Sequence, residues 1–198
     1  MEFTLDSSEF REKKGVEMAG ISEPGRRVRY GVAMSLDGYI AGPNGEYDWI
    51  TQDPDVDFAE IFGHFDTLLI GRKTFEAMLK MGGGGGGSWP GVKSFVISRT
   101  MKQADHPDVT IATDAGAVVR NLKAEPGKDI WLFGGGELFR SLLASGLVDG
   151  VDTSIVPVLL GGGISLVPSP AQQTRLALTK HRVYAKSGIV RLEYDVVR

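Results

Sequence analysis

The chain has no cysteine, only three histidines, and no run of lysine or arginine. Without thiols there is no disulfide, no cysteine-held zinc or iron–sulfur cluster and no thiolate nucleophile. His64, His106 and His181 are scattered without metal-ligand spacing, so no metal site is expected. Lysine and arginine number 22 against 25 acidic residues, a formal net charge of −3. Nucleic acid is therefore not expected as a partner, because binding a phosphate backbone needs a dense cationic face. No apolar run approaches the roughly 20 residues that span a bilayer. The N-terminus lacks the basic region and apolar stretch of a signal peptide. A cytoplasmic location without a membrane partner is the expectation. What is present is ordinary for a globular protein: 42% apolar and 24% charged residues over 198 positions, enough for one domain with a substantial core.

Residues 1–27 are polar, dense in Glu, Lys and Arg, and close on Pro24-Gly25. They read as a flexible extension, with a short helix at 8–16 packing on a neighbouring subunit as the competing reading. Residues 28–198 read as a single domain. Apolar runs at 28–34, 67–70, 94–98, 109–112, 129–133 and 151–156 predict strands. Helices are predicted at 55–64, at 74–80, from an Asp114 N-cap through Lys123, and after Gly136 with Leu138, Phe139, Leu142 and Leu143 facing inward. The glycine run 82–87 predicts a surface loop, not a phosphate site by composition alone. Segments 176–184 and 189–197 predict a hairpin around Lys186-Ser187-Gly188. Alternating strands and helices imply a three-layer α/β fold, its sheet mostly parallel and ending in an antiparallel pair.

Three strand ends carry groups suited to anions. Ile130-Trp131-Leu132-Phe133 runs into Gly134-Gly135-Gly136 and then directly into a helix, whose N-terminal N–H groups and dipole favour negative charge. The same glycines also suit a tight turn with no ligand. Leu69-Ile70 leads into Gly71-Arg72-Lys73-Thr74, two cations and a hydroxyl at a helix start, a fit for phosphate and in particular a ribose 2′-phosphate. Val96-Ile97 leads into Ser98-Arg99-Thr100. In open α/β sheets ligands lie beyond the carboxyl ends of the strands, so together the three suggest a phosphorylated dinucleotide. A fourth segment, Ala33-Met34-Ser35-Leu36-Asp37-Gly38-Tyr39-Ile40, continues to Asp48-Trp49-Ile50-Thr51 and could fold over a flat ring, although Asp37-Gly38 also suits a plain turn.

The order Ser-Leu-Asp-Gly, Ile-Gly-Arg-Lys-Thr-Phe-Glu, Ile-Ser-Arg-Thr and Gly-Gly-Gly-Glu-Leu resembles the dihydrofolate-reductase-like superfamily. Pro157-Val158-Leu159-Leu160-Gly161-Gly162-Gly163 is similar to a stretch in one branch, the reductase domain of the riboflavin-biosynthesis deaminase/reductases. The resemblance covers Val28 to about Arg198. It implies NADPH lying across the strand ends. Ala33 and Ile40 would meet the nicotinamide end, with Thr51 in the loop beyond. Gly71, Arg72, Lys73 and Thr74 would bind phosphates, and Ser98 and Arg99 would flank the 2′-phosphate. Gly134, Gly135, Gly136, Glu137 and Leu138 would line the pyrophosphate and ribose.

The implied activity is hydride transfer to a pterin-like or related heterocycle. The implied substrate anchor is a carboxylate on the first helix, Asp55 or Asp57, with Asp57 preferred. A second reading is reduction of 5-amino-6-(5-phosphoribosylamino)uracil, and a third is an NADP-binding module without turnover. Members that reduce the ribosylaminopyrimidine carry Lys where Gly31 stands and Glu where Gly134 stands, which counts against that substrate. The Trp-Pro pair of dihydrofolate reductases has only a loose counterpart in Trp49-Ile50. Homodimerisation is also expected, from the family tendency and the apolar stretch 151–160.

Overall fold

The computed structural model describes residues 25–80, 89 and 91–198. The readings made for residues 1–24 and for the glycine run 82–87 lie outside the described residues. Arg26 and Arg27, assigned to the extension on composition, are part of the folded unit. Arg26 is buried, donating to the Lys128 carbonyl at 2.7 Å and the Thr67 hydroxyl at 2.5 Å, and it pairs with Asp66.

Val28–Ser35 (β1) is followed by the short Tyr39–Ala41 (β2), then α1 (Phe58–Gly63), β3 (Phe65–Gly71) and α2 (Arg72–Lys80). Next come β4 (Lys93–Ile97), β5 (Thr110–Ala112), α3 (Ala115–Ala124), β6 (Asp129–Gly134) and α4 (Gly136–Ala144). The chain ends with β7 (Gly150–Val156), β8 (Ile164–Ser165), β9 (Leu176–Tyr184) and β10 (Ile189–Val196). Eight strands form one sheet in the order β5-β4-β3-β6-β1-β7-β10-β9. The first six run parallel, and β10 and β9 pair antiparallel at one side, as the alternating pattern implies.

Period-two alternation sorts the strand side chains into two cores. Val28 and Tyr30 of β1 and Ile130 and Leu132 of β6 pack on one face against Val119 and Leu122 of α3 and Phe139 and Leu142 of α4. On the other face Leu68 and Ile70 of β3 and Val96 of β4 pack with Phe75 of α2. Helices on both faces explain why Leu68, Leu69 and Ile70 form an unbroken apolar run, each fully buried. The first helix is shorter than the sequence suggests. It starts at Phe58 because Asp57 is its N-cap, accepting from the Glu60 N–H at 2.9 Å, while Asp53 and Asp55 are tied to the β9–β10 turn. β7 lies between β1 and β10, not at an edge, so its apolar character is accounted for within the sheet. The ribbon of β2 with β8 was not predicted, its strands being too short to show a period. Among the described residues no helix is long and apolar enough to cross a membrane.

Tyr30 marks a local imperfection. Its ring stacks on Phe139, centroids 3.9 Å apart at 15°, and its hydroxyl is buried with no hydrogen-bond partner among the described residues. Burial pushes its pKa up from the ordinary 10.0. A raised acid pKa stabilises the fold below the unfolded-state value, and that contribution fades as pH rises through and beyond it. Tyr30→Phe is therefore expected to raise stability by about 1 kcal/mol and to blunt the loss above pH 10, measured as denaturant midpoints across pH. A destabilised variant would show that the hydroxyl has a partner.

Candidate active site

β3, β4 and β6 are neighbours running the same way, so their carboxyl ends open on one edge of the sheet. Here the backbones come close. A Cβ on Gly71 would sit 3.3 Å from the Gly135 nitrogen, and one on Gly135 would sit 3.2 Å from the Thr74 hydroxyl. Gly134 has φ +145°, a backbone region that excludes side chains, and its peptide to Gly135 is cis. Gly135 is the N-cap of α4 and supplies no side-chain cap, so first-turn N–H groups without a side-chain acceptor among the described residues can meet an anion.

All fourteen residues expected to bind the cofactor line a single groove of about 2120 Å³: Ala33, Ile40, Thr51, Gly71, Arg72, Lys73, Thr74, Ser98, Arg99, Gly134, Gly135, Gly136, Glu137 and Leu138. Their surroundings differ. Arg72 is engaged by Glu76 one turn along α2, its Nη1 donating at 2.7 and 2.9 Å. Lys73 and Arg99 have no ion-pair partner among the described residues. The Ser98 hydroxyl closes its own turn, accepting from the Thr100 and Met101 N–H groups at 3.2 and 3.0 Å. Glu137 points toward solvent and pairs with Arg140 at 2.6 Å.

Asp55 and Asp57 are not among the groove residues. Asp57 caps α1, and Asp55 forms an exposed ion pair with Lys186 at 2.8 Å. The nearby Asp53 lines the groove but is only 4% exposed, accepting from the Ser187 and Asp55 N–H groups at 2.9 and 2.8 Å. Hydrogen bonding by the Ser187 side chain first, and then by the Asp55 backbone, holds its carboxyl below the usual range. Asp37 acts as a clasp. The Ser35 hydroxyl donates to it at 2.6 Å, and the Gly161 and Leu160 N–H groups at 2.7 and 3.1 Å, holding its pKa low and tying the first loop to the glycine-rich stretch before β8.

The groove also holds residues that sequence reasoning missed. Trp131 and Phe133 of β6 and Asp152 and Ser154 of β7 line it on the face shared with Gly31 and Ala33 of β1. Trp131 donates its indole N–H to the Gly31 carbonyl at 2.9 Å, and a Cβ on Gly31 would fall 2.5 Å from that indole nitrogen. The available signal was a polar run, Asp152-Thr153-Ser154, inside a strand with apolar ends, and aromatics two apart in the strand before the glycines. Gly31→Ala is expected to cost about 1–3 kcal/mol through overpacking, and much less in a Trp131→Leu background. A double-mutant cycle by denaturant unfolding measures the coupling, and purely additive costs would mean that Trp131 is not what excludes a side chain.

A profile of the RibD C-terminal domain family matches residues 26–190. The chain is similar to the uncharacterized protein YyaP of Bacillus subtilis, 36% identical over 178 residues, covering 85% of this chain and 94% of that one. Among solved structures it is similar to a putative riboflavin biosynthesis protein from Shewanella sp. PV-4, with TM-score 0.73 and 27% identity over 87% of this chain and 99% of the other. It shares its fold with dihydrofolate reductase from Enterococcus faecalis complexed with NADP(H), at TM-score 0.63 and 16% identity over 87% and 97% of the two chains. The chain belongs to the RibD C-terminal domain family and is a reductase of the dihydrofolate-reductase-like fold.

Proposed function

We propose that the protein is an NADPH-dependent reductase that delivers hydride to a pterin-like or related flat heterocycle. The observation that carries this reading is the meeting of three phosphate-suited strand ends in one groove: Gly71 to Thr74, Ser98-Arg99, and Gly134 to Leu138. The residues present fit the cofactor. The cradle between Gly71, Gly135 and Thr74 is one that side chains would fill, α4 presents an uncapped N-terminus, and Lys73 and Arg99 are cations without ion-pair partners among the described residues. The relative from Enterococcus faecalis is a protein complexed with NADP(H), which supports the same cofactor here.

In this reading Arg72, Lys73 and Thr74 hold phosphates, Ser98 and Arg99 flank the 2′-phosphate, and the first turn of α4 receives the pyrophosphate. Ala33 and Ile40 bound the nicotinamide end, with Thr51 on the loop above it. NADPH supplies the hydride when bound. The protein's share is orientation and exclusion of water, for which the groove has the aromatic side chains of Trp131 and Phe133 on its β6 side. The second reading, 5-amino-6-(5-phosphoribosylamino)uracil as substrate, is favoured by family membership alone.

Three measurements test this. Loss of reduced-nicotinamide absorbance is expected with dihydropteridine substrates; cofactor binding without oxidation across pteridine and ribosylaminopyrimidine panels would favour a non-catalytic module. Arg99→Ala and Lys73→Ala should each weaken NADPH by roughly ten- to a hundredfold, the loss of a charge-assisted hydrogen bond of about 1.5–3 kcal/mol. NADH should be nearly unaffected by Arg99→Ala; equal losses would remove Arg99 from the 2′-phosphate. Asp57→Ala should cost about 1 kcal/mol of stability by removing an N-cap, and with Asp55→Ala it should leave kcat per folded molecule unchanged. A collapse of kcat at intact stability would restore one of these carboxylates as the substrate anchor.

A further inference from the structure

Beyond Ala33 the groove continues down the sheet, and its two sides differ in character. Trp131 and Asp152 flank β1 on opposite sides: Trp131 is in register with Arg29, Asp152 with Gly31, and all four positions share one face. On the β6 side Trp131 is the centre of an aromatic wall, its ring centroid 5.1 Å from Phe62, 5.4 Å from Phe65 and 5.3 Å from Phe133. On the β7 side Asp152 is only 8% exposed yet lines both the groove and a smaller adjoining cavity of about 160 Å³. Arg29 holds it in place, donating Nε to Oδ2 at 2.9 Å and Nη2 to Oδ1. Each carboxylate oxygen can accept two hydrogen bonds and Arg29 supplies one to each, so among the described residues one lone pair on each is left for a ligand. Ser154, next on the same face, has a hydroxyl with no hydrogen-bond partner among the described residues.

Charge at this end does not suit a phosphate. Beside Asp152 the cations are already paired: Arg29, which lines the adjoining cavity, with Asp152 and with Asp195 at 3.5 Å, and Arg191, which lines the groove, with Glu193 at 3.2 Å. A dianion would displace one of these pairs and face the carboxylates left behind. The groove cations without ion-pair partners among the described residues, Lys73, Lys80 and Arg99, lie on α2 and after β4, not beside β7. Trp131 also takes the room over Gly31 from which a longer side chain could reach.

We propose, resting on the reductase reading above, that this end selects an unphosphorylated flat heterocycle, stacked on Trp131 and presenting an edge of hydrogen-bond donors to Asp152 and Ser154. Asp152, on β7, is then the carboxylate that reads the substrate, and Arg29 is the residue that positions it. An amino-substituted ring with adjacent N–H donors matches two carboxylate oxygens bidentately, and ring stacking adds attraction beyond burial.

The test is calorimetric titration of the full chain saturated with NADP⁺, using three probes. These are 2,4-diaminopteridine (flat, with the donor edge), quinazoline (flat, without it) and 5-amino-6-(5-phosphoribosylamino)uracil (phosphorylated). The diaminopteridine is expected to bind at least tenfold tighter than either of the others. Asp152→Asn should remove at least tenfold of its affinity and leave quinazoline unchanged; Trp131→Leu should weaken both rings; neither should alter NADP⁺ binding. Arg29 keeps Asp195 in the Asn variant. Should that variant fail to fold, Arg29→Gln with Asp152→Asn removes both charges together and carries the same expectation. Preference for the phosphorylated probe, absence of ring binding, or unchanged diaminopteridine affinity in the Asp152 variants would overturn the assignment. Failure of NADP⁺ to bind the wild-type protein would instead overturn the cofactor reading, and titrating the rings without it still decides the Asp152 and Trp131 roles.

Discussion

The carboxyl ends of β3 and β6 meet at backbone distance, and the groove is built around that contact. A single methyl on Gly71 would press within 3.3 Å of the Gly135 nitrogen, and one on Gly136 would come within 2.8 Å of the Pro168 ring. Any side chain here forces strand and helix apart, which is why glycine occupies each place. The approach sets the first turns of α2 and α4 side by side, so that the hydroxyl of Thr74 lies under the glycine turn that begins α4. Two short helices on separate parallel strands thus present their N-termini to the same space, a consequence of β3 and β6 being neighbours in the sheet.

Along this groove charge is segregated. On the α2 and β4 side the cations Lys73, Lys80 and Arg99 have no ion-pair partners among the described residues, whereas on the β7 and β10 side Arg191, which lines the groove, and Arg29, which holds Asp152, are each balanced by a carboxylate. An ion pair in a partly buried place resists exchange, because freeing one member strands the other. An anion is therefore drawn to one end, while the other is left to shape and hydrogen bonding. The aromatic wall around Trp131 belongs to this second end, and Gly31 permits it by having no side chain.

The loop joining β1 to α1 is held by polar contacts of its own. Asp37 clasps the stretch before β8, and Asp53 clasps the β9–β10 turn. Both carboxyls are held below their usual range by hydrogen bonds, Asp37 first by the Ser35 hydroxyl and Asp53 first by Ser187. A group whose folded-state pKa is depressed supports the fold at neutral pH and loses that support as pH falls from the ordinary value through the lowered one. In sequence Asp37 suits a plain turn, and the structure uses both acids as ties between distant segments.

Several features were legible in the sequence because they depend on local order. Strands, helices and the terminal hairpin follow from hydrophobic period and caps; Asp114, for instance, caps α3 as expected, accepting from the Ala117 N–H at 2.9 Å. The glycines and cations at the strand ends were equally visible, since their residue types suit a phosphate wherever such an end is placed. Sequence could not say that α1 would begin at Phe58, leaving Asp57 as its cap and Asp55 bound to Lys186, because that depends on a turn 131 residues away. Nor could it show that Trp131 lies over Gly31, a contact 100 residues apart in the chain. Residue chemistry and period determined which segments form the sheet and which strand ends suit an anion. Strand order and register, set by long-range packing, alone decided which side chains face the same space and so that Asp152 lines the groove beside Gly31.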